Sequence, residues 1–252
     1  MHAKTATTSR SYLYAIISGS EERSFGPLGL KGGEVRTIVE GDVGAVISDV
    51  SDERIRPERR NLTVHQEVLV RLMKETTPLP MSFGIIANDR NAIRKVLSRN
   101  HEEFTAQLKR VAGKVEMGLR VALSMPNIFE YFVDTHQELK DARDMLHCAH
   151  REPTHDDKIE IGRLFDRMLN EDREAYTDSV KEILSGHCFE FKINKCRNER
   201  EVMNLACLVG RDAQPEFESS VFESARLFDN NFAFDYSGPW APHNFVEMQL
   251  KL

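Results

Sequence analysis

Apolar and polar residues alternate with two distinct periods along the chain, and the switches between them predict an α+β protein. The run Tyr12–Ser18 is rich in aromatic and β-branched residues, which is typical of a buried strand. Two more strand-like runs, Val35–Val39 and Val43–Val50, are joined by the short Gly41-Asp42 connection that favours a hairpin. Apolar residues then take helical spacing over Asn61–Lys74.

The first half of the chain continues with one more strand-like run and two helical segments. The run Leu79–Ala87 predicts a strand, and Ala92–Leu97 and Glu102–Ala112 predict helices. Together these elements indicate an N-terminal α+β domain over residues 12–113. Residues 1–11 have no apolar core and are interpreted as a short disordered arm.

The second half of the chain has a clearer alternation of strands and helices. The predicted elements are the strand Val115–Leu123, the helices Ile128–Cys148 and Ile159–Leu184, the strands Cys188–Ile193 and Val202–Val209, the helix Phe217–Phe228 and the strand Phe232–Tyr236. Apart from an inserted helix, this order is β-α-β-β-α-β. It predicts a ferredoxin-like α+β domain over residues 114–236.

Residues 237–252 form a predicted aromatic and proline-rich C-terminal tail that packs back on the domains. Residues 232–245 read FAFDYSGPWAPHNF and contain the only Trp of the chain, Trp240. Terminal segments usually carry small polar residues. The aromatic side chains of this tail therefore have two possible roles: the tail packs against a domain, or it binds a partner.

Charge and composition exclude several classes of partner. The net charge is −6, and the arginines between residues 54 and 60 are interleaved with acidic residues, so nucleic-acid binding is not predicted. The longest apolar run, Tyr12–Ile17, is far too short to span a bilayer, so no lipid membrane partner is predicted. Without an export signal, the expected location is the cytoplasm. The four cysteines have no C-x-x-C spacing and are expected to be free thiols.

No set of residues predicts catalysis, a metal site or a cofactor. The glycine-rich stretch Gly26–Gly33 lacks the ending of a phosphate-binding loop and runs into a strand, so a flexible hairpin loop is favoured. The group His147, Cys148 and His150, with His155 beyond it, matches no closed zinc pattern. The isolated His65 lies on the apolar face of its helix and is expected to be a hydrogen-bonded core residue.

Three stretches together carry a resemblance to a known family. They are Tyr12-Leu-Tyr-Ala-Ile16, Pro78-Leu-Pro-Met-Ser-Phe-Gly84 and Phe234-Asp-Tyr-Ser-Gly-Pro-Trp-Ala-Pro-His-Asn-Phe245. With these, the chain resembles the gas vesicle protein F/L family (GvpF/GvpL) from about residue 11 to its end. The last stretch is the specific one, although Ala241 and His243 stand where the family pattern has proline and tyrosine.

The resemblance implies a non-catalytic accessory or minor structural protein of gas vesicles, with no enzyme activity. It further implies contact with the small hydrophobic shell protein, gas vesicle protein A, and a part in vesicle nucleation and assembly. A soluble companion could keep apolar faces and strand edges of such a shell subunit from aggregating. The candidate structural or partner contacts are Tyr236, Pro239, Trp240, Pro242 and Phe245.

Two roles remain open for the rings of the tail. Trp240 and Phe245 either pack within the molecule and brace the two domains, or form part of a binding hot spot for the shell protein or another gas vesicle protein. A rival from another class is a small-molecule-binding or catalytic dimer built on ferredoxin-like domains. That rival requires convergent polar groups in a concave apolar pocket, and the sequence does not identify such a set.

Overall fold

The computed structural model describes residues 10–51, 54–148 and 152–248, and the chain divides into two compact units. The described residues of unit 1 are 10–51, 54–116 and 239–248, and those of unit 2 are 117–148 and 152–238. Each unit is built around its own antiparallel sheet. The α+β class with two sheets is therefore confirmed.

Unit 1 contains a six-stranded sheet and three helices. Its elements are β1 (Arg10–Ser18), β2 (Ser24–Gly26), β3 (Val35–Glu40), β4 (Val43–Val50), α1 (Arg59–Met73), β5 (Leu79–Pro80), β6 (Ile86–Ala87), α2 (Arg90–Arg99) and α3 (His101–Val111). The strand order is β2-β3-β4-β1-β5, and β6 also pairs with β1. The long central strand β1 begins at Arg10, so it includes the last two residues of the predicted arm.

Side chains of β1 are buried on both faces of this sheet, which explains its continuous apolar run. On one face Tyr12 and Tyr14 pack in a cluster with residues of α1 such as Leu69. On the other face Leu13 and Ile16 pack in a cluster with residues of α2 and α3. A register irregularity between Leu13 and Ala15 shifts the alternation within the strand. The sheet of unit 1 therefore has a helical layer on each face.

The prediction of one continuous strand over Leu79–Ala87 is wrong. Only the two ends of this stretch, β5 and β6, are strands, and both pair with β1. Between them the backbone turns at Gly84, whose φ of 93° lies in the left-handed region that glycine tolerates. The Met81 N–H donates to the Tyr14 carbonyl at 2.9 Å, so the turning segment stays attached to β1.

Unit 2 contains a four-stranded sheet and four helices. Its elements are β7 (Lys114–Leu123), α4 (Ile128–Thr135), α5 (Gln137–Cys148), α6 (His155–Leu184), β8 (Glu190–Ile193), β9 (Glu201–Gly210), α7 (Gln214–Ala225) and β10 (Phe232–Trp240). The first three residues of β7 and the last two of β10 are counted with unit 1. The strands lie in the order β10-β7-β9-β8. Counted along the sequence, this places the fourth, first, third and second strands side by side.

The helical insertion of unit 2 differs from the prediction in two places. The predicted helix Ile128–Cys148 is interrupted at His136, whose backbone is extended, and this gives two helices, α4 and α5. Helix α6 begins at His155, earlier than the predicted start at Ile159. The cause is a capping box in which Thr154 and Asp157 bond each other's backbone N–H groups.

Candidate functional site

The five predicted contact residues do not lie in one continuous tail. Tyr236, Pro239 and Trp240 are part of strand β10, whereas Pro242 and Phe245 lie beyond its end. The strand therefore continues to Trp240, although the sequence predicted its end at Tyr236. Within it, Gly238 has a φ of 130°, a backbone conformation that few other residues adopt.

Tyr236 is a packing residue of unit 2. Its ring centroid lies 6.2 Å from that of Phe217, a fully buried side chain of α7. Burial raises the pKa of Tyr236 to about 12, so the phenol stays protonated at neutral pH. A neutral, half-buried ring contributes packing surface here and does not serve as an acid or base.

The remaining ring and proline residues divide into an exposed pair and a buried pair. Pro239 is exposed, and 38% of the Trp240 side chain surface is accessible. Pro242 is buried, and Phe245 is only 2% exposed. Of the two rings that the sequence assigned either to bracing or to partner contact, Phe245 lies inside unit 1, and Trp240 retains accessible surface.

Ala241 anchors the segment between these two rings. It is fully buried in the cluster that contains Tyr12, Tyr14 and residues of α1. Its small side chain adds to this core on the C-terminal side of Trp240.

A buried carboxylate holds the next residues of the C-terminal segment. Glu116 is only 6% exposed and accepts two hydrogen bonds from Asn244, one from the backbone N–H at 2.8 Å and one from Nδ2 at 2.6 Å. Burial raises the pKa of Glu116, and the two bonds from Asn244 oppose this shift. The two bonds fix both the backbone and the side chain of one tail residue.

Helix α3 provides the second polar attachment of the segment. Arg110 Nη1 donates to the Phe245 carbonyl at 2.9 Å, and Gln107 Nε2 donates to the Glu247 carbonyl at 3.3 Å. Beyond them, Val246 and Met248 pack against the cluster that lies on the α2 and α3 side of the sheet. The described part of the segment is thus attached to unit 1 by both polar and apolar contacts.

His65 lies in a buried aromatic network of unit 1, as predicted for a hydrogen-bonded core residue. The Gly84 N–H donates to the Tyr12 hydroxyl at 3.1 Å, and the hydroxyl lies 2.9 Å from His65 Nδ1. The hydroxyl proton is then free to be donated to Nδ1, which makes the imidazole neutral with its proton on Nε2. Burial, and to a smaller extent the nearby His243, lower the pKa of His65 to about 4.

The glycine-rich stretch Gly26–Gly33 is packed against this network and does not form a phosphate cradle. Leu30 is buried, and its N–H donates to the Tyr14 hydroxyl at 2.9 Å. A Cβ atom at Gly29 would lie 2.8 Å from both the Gly33 carbonyl oxygen and the Ser48 Cβ. The stretch connects the antiparallel pair β2 and β3, as predicted for a hairpin loop, and the glycine at position 29 allows its close packing.

The His and Cys residues considered as metal ligands do not form a site among the described residues. In that part of the chain, no group of three or more His, Cys, Asp or Glu side chains is placed to hold a metal ion. Cys148 is exposed, and His147 Nδ1 lies 2.9 Å from the Arg143 carbonyl, to which it can donate. His150 lies outside the described residues.

A cavity of about 290 Å³ in unit 1 bears on the rival interpretation of a small-molecule-binding protein. Its walls are mainly apolar side chains of β1 and α2, including Leu13, Ile16 and Ile93. The polar residues of its lining are Asn88, Lys95 and Arg99, all of which are exposed. The lining contains neither a carboxylate nor an imidazole, and so it offers no acid–base pair.

Large apolar side chains are exposed on both units. Of the described helices, none is long and apolar enough to cross a membrane. The exposed apolar side chains are Leu28, Leu62, Val70 and Trp240 in unit 1, and Met145, Ile159, Phe189, Ile193, Phe222 and Leu227 in unit 2. The most exposed of them, Met145, Phe189 and Phe222, are each more than 60% accessible.

Two α+β units, each with one antiparallel sheet, and a C-terminal segment attached to the first unit define the class of protein. The chain belongs to the gas vesicle synthesis protein GvpL/GvpF family, whose family model matches residues 10–247. It is 24% identical over 240 residues to gas vesicle protein F of Dolichospermum flosaquae, covering 94% of this chain and 97% of that one. It is also 24% identical to gas vesicle protein L of a Streptomyces strain, covering 96% of this chain and 94% of the relative.

Solved structures of the same family share the fold. The crystal structure of GvpF from Anabaena sp. PCC7120 matches with a TM-score of 0.84 at 22% identity, covering 96% of this chain and 99% of that chain. The crystal structure of GvpF from Microcystis aeruginosa matches with a TM-score of 0.80 at 18% identity, covering 96% and 100%. The protein is therefore a gas-vesicle-related protein with the GvpF fold.

The sequence analysis did not identify the residues that attach the C-terminal segment. Glu116 was part of the alternating strand Val115–Leu123, in which a single acidic residue resembles any solvent-facing position. Its position beside Val115 and Met117, both buried, gives no sign of a partner more than a hundred residues away. Asn244 in the specific terminal motif was the available signal, since a polar amide between buried residues requires hydrogen-bond partners.

Proposed function

We propose that this protein is a non-catalytic accessory or minor structural protein of gas vesicles that binds the hydrophobic shell protein, gas vesicle protein A. By covering apolar surface of the shell subunit, it prevents aggregation and aids vesicle nucleation and assembly. Its location is then the gas vesicle and the surrounding cytoplasm. Membership of the gas vesicle family over residues 10–247 is the observation that carries this proposal.

The apolar surface of the chain supports a partner of this chemistry. Three exposed apolar side chains lie on or beside the sheet of unit 2: Phe189 and Ile193 at β8, and Phe222 on α7. Strand β8 is at the edge of its sheet, and an edge strand can accept another strand. An apolar shell subunit with strand edges matches such a surface better than a charged partner does.

The C-terminal segment fixes the backbone beside Trp240 before any partner binds, and this supports a contact role for the ring. Ala241, Pro242 and Phe245 are buried, and Glu116 fixes Asn244, so the chain on the C-terminal side of Trp240 is held in place. A partly exposed Trp on a held backbone loses little conformational entropy on binding. Trp is also the residue type most enriched in binding hot spots.

We further infer that unit 2 is a ferredoxin-like module with a helical insertion. The supporting observation is its strand order, β10-β7-β9-β8, combined with helices α4–α6 before β8 and α7 before β10. In this arrangement β8 and β10 are the two edge strands. The module would therefore present the exposed β8 edge as a second place for the shell protein.

Three single variants test whether Trp240 contacts a partner or only stabilises the fold. Trp240→Ala is expected to keep the fold, judged by circular dichroism, and to reduce the capture of gas vesicle protein A by about tenfold, which corresponds to about 1.4 kcal/mol. Phe245→Ala removes a buried ring and is expected to lose about 3–5 kcal/mol of stability. Trp240→Phe keeps an aromatic ring and should restore most of the capture.

Two outcomes would contradict the proposal at different levels. If Trp240→Ala captures the shell protein as well as the unchanged protein does, the tail is not a contact. If the unchanged protein shows no association with gas vesicle protein A, the binding function itself is wrong.

A further inference from the structure

Strand β8 presents an open edge on which the direction of the backbone groups is known. Among the described strands, β8 pairs with β9 alone. Directly after β8, the Asn194 N–H donates to the Asn204 carbonyl at 2.8 Å, so the even-numbered residues of this stretch direct their backbone groups toward β9. Backbone groups alternate in direction along an antiparallel strand. The N–H and C=O groups of Phe191 and Ile193 therefore point the other way, toward the open edge.

The side chains of this edge alternate between charged and apolar. Strand β8 reads EFKI over Glu190–Ile193, with Phe191 half-buried and Lys192 exposed. Ile193 is 60% accessible, and Phe189, directly before the strand, is 67% accessible. A lysine on an edge strand opposes the addition of most other strands. The strand that fits this edge must therefore place a negative charge opposite Lys192 and apolar side chains on either side of it.

A second copy of the same strand meets this requirement. We propose that two copies of the protein pair through β8, antiparallel, about a two-fold axis at Phe191. In this register Glu190 of each copy lies opposite Lys192 of the other copy. Ile193 of each copy lies opposite Phe189 of the other copy. Opposite charges directly across an antiparallel pair stabilise it, and a two-fold axis forms each of these contacts twice.

The backbone and the charges together select this register. An axis between two residues would set an outward-pointing residue opposite an inward-pointing one, so the two edges could not exchange hydrogen bonds. An axis at Glu190 would set the two Glu190 side chains opposite each other, and an axis at Lys192 would do the same with the two lysines. Like charges directly opposite destabilise a strand pair. The axis at Phe191 avoids both and lets the two Phe191 residues exchange backbone hydrogen bonds.

The contact is short, so the dimer is expected to be weak and to exchange with the monomer. Interfaces that bury less than about 1,200 Å² belong to transient complexes. Pairing between copies does not depend on the function proposed above, and it is measured without the shell protein. A shell subunit that uses the β8 edge would compete with the second copy for it.

Sedimentation velocity of the full-length protein tests the pairing and its register. The unchanged protein should convert from monomer to dimer as its concentration rises to about 1 mM. Glu190→Lys and Lys192→Glu should each raise the Kd of the dimer by about tenfold, because each variant sets like charges opposite in both pairs. An equimolar mixture of the two variants should recover the dimer, since every pair then joins opposite charges. Circular dichroism establishes that each variant keeps its fold.

The backbone part of the pairing has its own test. Ile193→Pro removes an N–H that points to the open edge and leaves the bonds to β9 in place, so it should keep the fold and prevent the dimer. Ile193→Ala keeps this N–H and should weaken the dimer less. In the unchanged protein, amide exchange of Phe191 and Ile193 should slow as concentration rises, and that of Lys192, which faces β9, should change less.

Three results would overturn the proposal. The first is a protein that stays monomeric up to about 1 mM. The second is a dimer that Ile193→Pro leaves intact, because its contact then lies on another surface. The third is a mixture of Glu190→Lys and Lys192→Glu that dimerises no more tightly than either variant alone, because the register is then wrong.

Discussion

Replacing His65 by Asn should remove much of the loss of stability that unit 1 suffers in mild acid. His65 is 5% exposed, and Nδ1 lies 2.9 Å from the Tyr12 hydroxyl. Nε2 is buried and makes no hydrogen bond of ordinary geometry within the described part of the chain, and the Met81 backbone opposes the lowering of the pKa of His65 only in part. A second proton on this ring would create a charge in surroundings that cannot solvate it.

The size of the effect follows from the difference between the two pKa values. Burial, and to a smaller extent the nearby His243, lower the pKa of His65 from 6.5 to about 4. Below pH 6.5 the unfolded chain binds a proton that the folded chain does not bind until the pH falls to about 4. The stabilisation is therefore complete above pH 6.5 and is lost as the pH falls through about 4, by about 3 kcal/mol.

Urea unfolding monitored by Trp fluorescence is suited to this measurement, because Trp240 is the only Trp and belongs to unit 1 with His65. His65→Asn keeps an acceptor for the Tyr12 hydroxyl and removes the titrating ring. Its free energy of unfolding should fall between pH 7 and pH 4 by about 3 kcal/mol less than that of the unchanged protein. Equal losses in both proteins, or an NMR titration of His65 with a pKa near 6.5, would refute the reasoning.

Two further predictions concern the tail attachment and the glycines. Burial raises the pKa of Glu116, so its contribution to stability is present in acid and declines as the pH rises. Glu116→Gln should flatten that decline in urea unfolding from pH 4 to pH 7, and a variant with the original slope would contradict this. Gly29→Ala should cost about 1–3 kcal/mol in thermal unfolding because its Cβ would collide with backbone and with Ser48. Gly162→Ala, in open space within helix α6, should instead gain about 0.5–1 kcal/mol, and the opposite order of the two variants would refute this account.

Local periodicity was sufficient to predict most strands and helices. The run Tyr12–Ser18 is apolar on both faces because α1 covers one side of β1 and α2 and α3 cover the other, and such a run is visible without a structure. The Gly41-Asp42 hairpin is equally local, with Glu40 opposite Val43 in the observed register. Elements defined by neighbouring residues are the ones that sequence reasoning places correctly.

Contacts between distant residues account for most of what the sequence did not predict. The stretch Leu79–Ala87 has the composition of a strand, but its middle turns at Gly84 to place an N–H against Tyr12. Helix α4 ends just before His136, whose ring stacks on Phe132 and whose Nε2 lies 3.2 Å from Asp172 Oδ1. A partner 36 residues away has no signature in a local pattern.

The terminal motif shows both what the sequence could predict and what it could not. Its aromatic content correctly drew attention to residues 232–245, and the specific motif led to the family. Which ring is buried and which stays accessible depends on Glu116, which binds Asn244, and on the buried cluster that Ala241 shares with Tyr12 and Tyr14. These partners lie more than a hundred residues earlier in the chain, so the sequence could not show which ring faces outward.

The most direct test of the central claim is whether the purified protein captures gas vesicle protein A when charge attraction is screened. The chain carries a net charge of −6 with both signs interspersed, so apolar contact should dominate. At about 1 M salt the Debye length falls to about 3 Å, which removes most attraction between exposed charges. The account predicts that capture at this salt concentration equals or exceeds capture at about 0.1 M. Capture that disappears at moderate salt, or no capture at any salt concentration, would contradict it.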